Sequence, residues 1–80
     1  MAKRSMERQV RSLSVKHQMH AFKYGVTLEY REAKFMALES LLFELPDDEY
    51  WAAFKQHGYT PDEVLKIAES LAERNISYET

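Results

Sequence analysis

Apolar positions in the last third of the chain recur at helical spacing: Val64, Ile67, Ala68 and Leu71 fall on one side of a helix. The start of that helix is spelled out. Thr60 is a good N-cap, Pro61 suits the first helical position, and Glu63 completes a Thr-x-x-Glu capping box. Tyr59 is placed to staple onto Val64, Arg74 sits in the last turn, and Asn75 is the expected stop. A preceding helix is predicted from Pro46 or Asp47 to His57. Asp47, Asp48 and Glu49 crowd its first turn, where carboxylates meet the positive end of the helix dipole. Ala53 and Phe54 face inward with Tyr50 or Trp51, and Gly58 has the position of a C′ glycine.

Residues 28–45 break the one-sided pattern. In "FMALESLLFEL", Phe35, Leu38 and Leu42 share a face, Met36 and Phe43 lie on another, and Leu41 falls between. A helix apolar nearly all round is buried on more than one side. A chain of 80 residues has few other elements to cover it, so the pattern predicts a central helix packed against a second copy.

The first third carries two stripes if it is helical from Ser5 to about Lys23. Met6, Val10, Leu13, His17 and Tyr24 form one; Val15, Met19, Phe22 and Val26 form the other, roughly opposite. Arg4, Arg8 and Arg11 occupy the first half of the second line as a basic ridge. A turn at Gly25 follows, with Thr27 expected to cap the central helix. Read instead as a strand, "FKYGVTLEY" alternates, with Phe22, Tyr24, Val26, Leu28 and Tyr30 on one side. The expected fold is therefore all-α, three to four short helices in a single domain over 1–80, packed as a homodimer. An α fold with one short strand is the alternative. Residues 1–23 form a basic N-terminal arm or helix and 76–80 a frayed tail.

Composition narrows the class. A chain this short buries only about 60–65% of its unfolded surface, so a lone core is marginal without disulfides, metal or a partner. Cysteine is absent, which removes disulfides and thiolate zinc sites and leaves association as the expected source of burial. There is no long uncharged apolar run and no signal-peptide pattern, which predicts a soluble cytoplasmic protein without membrane partners. The net charge of −2 conceals an asymmetry. Residues 1–26 hold Lys3, Arg4, Arg8, Arg11, Lys16 and Lys23 against Glu7 alone, whereas residues 27–80 hold twelve acids against five cations. Such a split points to a basic segment that meets something anionic.

Chemistry beyond charge is sparse. No cysteine nucleophile, Gly-rich phosphate loop or serine motif is present, so no enzyme and no cofactor are expected. His17 and His20 stand three apart with His57 distant, too few ligands for an expected metal site. The stretch "HGYTPDEVLKIAE" has the outline of a helix-turn-helix corner. Phe54, however, stands where a small residue lets two helices cross, and Asp62 and Glu63 stand where a recognition helix meets phosphates. Carboxylates there forfeit the electrostatic term that drives binding. The chain from 58 to 75, "GYTPDEVLKIAESLAERN", resembles the second-helix segment of ribbon-helix-helix repressors, where a Gly-x-Ser/Thr-x-x-Glu start is common. The resemblance implies a DNA-reading strand at "SLLFEL", which carries no basic residue, and a first helix about a turn longer than 46–58 provides.

Two functions follow. In one, a small non-enzymatic regulator contacts nucleic acid through Lys3, Arg4, Arg8, Arg11, Lys16 and Lys23. In the other, an inhibitor, adaptor or antitoxin-like module binds a protein partner through the apolar central helix, at Tyr30, Phe35, Met36, Leu38, Leu42, Phe43 and Trp51. In both, the chain also pairs with itself.

Overall fold

The structure, a computed structural model, describes residues 2–74, with side chains from residue 6 onward. Among these residues the chain is all-helical: α1 (Ala2–Lys23), α2 (Tyr30–Leu42), α3 (Asp47–Gln56) and α4 (Pro61–Glu73). No strand forms there. Val26 to Glu29 is irregular, and "SLLFEL" is the end of α2 followed by a turn, so the strand alternative is corrected. Ala33, Met36, Ala37, Leu38 and Glu39 are strong helix formers, and they propagate α2 through the segment that a reading strand would occupy. The expected stop at Asn75 and the tail at 76–80 lie outside the described residues. The chain divides into two compact units, Met1–Leu38 and Glu39–Thr80.

In the first unit, α1 is longer than expected, 22 residues starting at Ala2 rather than Ser5. At 1.5 Å per residue it is about 33 Å long. Its inner face is Val10 and Ser14, both buried, with Met6, Leu13, His17 and Ala21 half-buried; Tyr24 lies off that stripe and is exposed. Ser14 is tolerated in the core because its hydroxyl donates to the Val10 carbonyl at 2.6 Å. Gly25, at φ +79°, ends α1. The Val26 amide donates to the Ala21 carbonyl and the Gly25 amide to that of Phe22, both at 3.0 Å, the two bonds of a Schellman motif. The chain then runs irregularly to bury Leu28, so Thr27 does not cap α2. Glu29 takes that place: its carbonyl accepts the first helical bond from Ala33, and its amide donates to the Glu32 carboxylate at 3.1 Å. Ala33, Phe35, Met36, Ala37 and Leu38 are all buried.

The second unit is built around aromatic rings. Phe54 is fully buried, tilted against Tyr50 at 4.9 Å and edge-on to Tyr59 at 5.7 Å. Tyr50, not Trp51, is the inward partner, and its hydroxyl donates to the Glu39 carboxylate at the end of α2. Gly58, at φ +86°, closes α3 with a second Schellman motif: Tyr59 donates to Phe54 at 2.9 Å and Gly58 to Lys55 at 3.0 Å. Here the accompanying C″–C3 contact is the Tyr59–Phe54 ring pair. Thr60 Oγ1 accepts from the Glu63 amide at 3.2 Å, so α4 starts as expected, with Val64 and Leu71 buried and Ile67 and Ala68 half-buried.

A Cβ at residue 58 would meet nothing within 4 Å, so the left-handed backbone alone sets the cost of replacing Gly58. Gly58→Ala is expected to lower unfolding free energy by about 1–2 kcal/mol, with Gly58→Asn costing less, as read by urea denaturation.

Candidate interaction surface

The functional candidates on α1 are set by which of its two stripes is covered. With the Val10–Ser14 side packed, the opposite side faces solvent. Val15, Met19 and Phe22 are 42%, 63% and 73% exposed. At about 100° per residue they align with Arg8 and Arg11, both exposed, while Lys16 and Lys23 flank the line. One face of α1 is thus cationic in its first half and apolar in its second. Lys23 and His20 lie in the last turn, where the negative end of the dipole favours cations. The side chains of Lys3 and Arg4 lie outside the described residues.

The Schellman turn at Gly25 brings Val26 and Leu28 back beside the end of α1. The result is an open groove of about 450 Å³ with Met19, Phe22, Val26 and Leu28 as its apolar wall; Gln18, Lys23 and Thr27 complete the lining. Gln18 pins the returning chain, its amide donating to the Leu28 carbonyl at 3.2 Å. His20 packs edge-on against Tyr24 at 5.2 Å.

The residues expected to meet a partner along the central helix separate into two groups. Phe35, Met36, Leu38 and Leu42 are buried within the chain itself. Tyr30, Phe43 and Trp51 are exposed, at the start of α2, just past its end and on α3. The sequence pattern calls for a second copy to cover α2 because 80 residues supply few elements; within one chain, Tyr30 and Phe43 are the positions of this set at its two ends that stay exposed. Among the described residues, the exposed large hydrophobics that the pattern alone does not assign to a surface are Val15, Met19, Phe22, Tyr24, Leu45 and Leu65. The signal for the first three is the second stripe itself, since a helix with two apolar faces in a small chain leaves one uncovered.

The corner formed by α3, Gly58 and α4 carries Asp62 exposed and Glu63 half-buried in the first turn of α4. Among the described residues no three His, Asp or Glu side chains group to hold a metal ion, and no helix is long and apolar enough to cross a membrane. Comparisons with protein-family models, curated proteins and solved structures find no match to this chain.

Half-buried His17 titrates below its ordinary 6.5, through desolvation first and the neighbouring His20 second. The unfolded chain therefore binds this proton more readily than the folded one. The stability tied to neutral His17 is complete above pH 6.5 and is lost as pH falls through the window between 6.5 and the lowered value. Thermal unfolding is expected to show a declining midpoint from about pH 7 to pH 5, above the main carboxylate range, and His17→Gln to flatten it. The exposed face of α1 and the buried face of α2 are separable in the same assay. Phe22→Ser is expected to change stability by less than about 0.5 kcal/mol, whereas Phe35→Ala costs about 3–5 kcal/mol.

Proposed function

We propose that this chain is a small non-enzymatic interaction module that works through the outer face of α1, docking it onto a partner that is both acidic and apolar. The observation that carries the reading is the exposed Val15–Met19–Phe22 line, opposite the packed face and bordered by Arg8, Arg11, Lys16 and Lys23. Three large apolar side chains in line on an otherwise polar face are what a helix-in-groove contact uses as anchors. The cations around them select the sign of the partner and speed encounter more than they add affinity. An inhibitor or adaptor role fits this surface, with the anchors on α1 rather than on the central helix.

The exposure of Arg8, Arg11, Lys16 and Lys23, with Glu7 the only acid in residues 1–26, favours a second reading in which the same helix contacts phosphates of nucleic acid. The two readings respond differently to salt. Each phosphate contact contributes about 0.9 to the slope of log affinity against log salt, while apolar docking is nearly flat.

The test compares two probes, a helical peptide with alternating Leu and Glu along one face and a generic DNA duplex. The intact chain is expected to bind the peptide with a shallow salt dependence. Met19→Ser with Phe22→Ser should weaken that binding at least about tenfold, a loss of about 1.4 kcal/mol. Duplex binding that is steep in salt, abolished by Arg8→Ala with Arg11→Ala and indifferent to Phe22, would establish the nucleic-acid reading in its place.

A further inference from the structure

The chain itself carries a surface with the chemistry that the α1 face demands. Between α2 and α3, Phe43 is 66% and Leu45 39% exposed, and Trp51 on α3 is 36% exposed. Exposed Glu44, Asp47, Asp48 and Glu49 are interspersed with them. The helix dipole accounts for the acids in the first turn of α3. It does not account for Glu44, which precedes that helix, or for bulky apolar side chains left in water among the acids. Tyr50 holds this corner in shape: its hydroxyl donates to Glu39 on α2, and its ring lies against Phe54 on one side and edge-on to Trp51 at 5.1 Å on the other.

We infer that the occupant of the α1 face is a second copy of this chain, docked through its acidic, aromatic corner at Phe43–Trp51. This rests on the reading of α1 as a docking face and names its partner. Both surfaces pair apolar with charged residues, and the charges are opposite: Arg8, Arg11, Lys16 and Lys23 on one, Glu44, Asp47, Asp48 and Glu49 on the other. Contacts of cation with cation or acid with acid are disfavoured, so the charges select the α1-to-corner pairing over α1-to-α1. Each copy bears both surfaces and so can take part in the contact twice. The contact covers Val15, Met19 and Phe22 on one copy and Phe43, Leu45 and Trp51 on the other.

The experiment is a charge exchange between two variants of the full chain, followed by sedimentation equilibrium up to millimolar concentration. One variant carries Arg8→Glu and Arg11→Glu, the other Glu44→Lys and Asp48→Lys, and circular dichroism checks that each retains the helix content of the parent. The parent is expected to self-associate, with the emission of Trp51, the only tryptophan, moving to shorter wavelength as it does. Each variant alone should associate at least about tenfold more weakly, because its altered surface now meets like charge. An equimolar mixture should recover association, since the carboxylates introduced on α1 of one variant then face the ammonium groups introduced at the corner of the other. Should the second variant lose helix content, Glu44→Gln with Asp48→Asn replaces it and is expected to weaken self-association without reversing it. A parent that stays monomeric throughout, variants that associate as the parent does, or a mixture that recovers nothing each overturns the inference. A monomeric parent whose peptide binding is still cut by Met19→Ser with Phe22→Ser overturns this inference alone and leaves the docking face standing. Association that appears only on adding duplex DNA overturns it in favour of a nucleic-acid scaffold.

Discussion

Within the first unit, the burial of α2 is the constraint that shapes the surface of α1. Ala33, Phe35, Met36, Ala37 and Leu38 are buried in near succession, and at 100° per residue their directions span the whole circumference. A helix buried on all sides needs neighbours on all sides, and a chain of 80 residues has few to offer. Each other helix also buries a stripe: Val10 and Ser14 on α1, Phe54 on α3, Val64 and Leu71 on α4. On α1 a second apolar line, Val15, Met19 and Phe22, stays exposed. The exposed line on α1 is what remains once the Val10–Ser14 side is buried.

The two glycines convert this covering into surfaces. Where Gly25 ends α1 in a left-handed turn, the chain reverses and Leu28 is buried, leaving Val26 beside Phe22 and Met19 as the wall of a groove. Where Gly58 ends α3, Tyr59 folds back against Phe54, and the rings around Phe54 hold Tyr50 and hence the approach of α3 to the end of α2. Neither glycine is crowded, so it is the sign of φ and not space that requires them. Local backbone geometry at two residues therefore sets which apolar side chains are left outside.

Much of the helical architecture is legible in the sequence because caps and breakers act locally. Thr60, Pro61 and Glu63 announce α4, and Gly25 and Gly58 announce the two stops, through interactions spanning a few residues. What misleads is non-local. Thr27 has the chemistry of a cap, but burying Leu28 carries the chain past it, and Glu29 with Glu32 caps the helix instead. The all-round apolar pattern of α2 is correctly a sign of burial on several sides, since Ala33, Phe35, Met36, Ala37 and Leu38 are all buried. The two stripes of α1 are equally plain, and both are long enough to pack. Only the placement of other elements decides that the Val10 side is inner and the Val15 side outer, which is why Met19 and Phe22 are legible as a stripe and not as a surface.

The arrangement of charge on that surface limits what it can do. Exposed ion pairs contribute about 0–1 kcal/mol each and fade with salt, so Arg8, Arg11, Lys16 and Lys23 alone make a weak and unselective contact. Apolar burial supplies about 25 cal/mol per Å², so Val15, Met19 and Phe22 supply strength but no preference among apolar partners. Placed on one face, each set corrects the deficiency of the other. Cations beside a desolvated apolar strip reject a partner whose strip lacks acids, because docking it would strip water from the cations without replacing it. In the proposed docking, selectivity then follows from adjacency along α1, with apolar side chains in the later turns and Arg8 and Arg11 before them. Moving the same residues to different faces of the helix would keep the composition and the charge and abolish the discrimination.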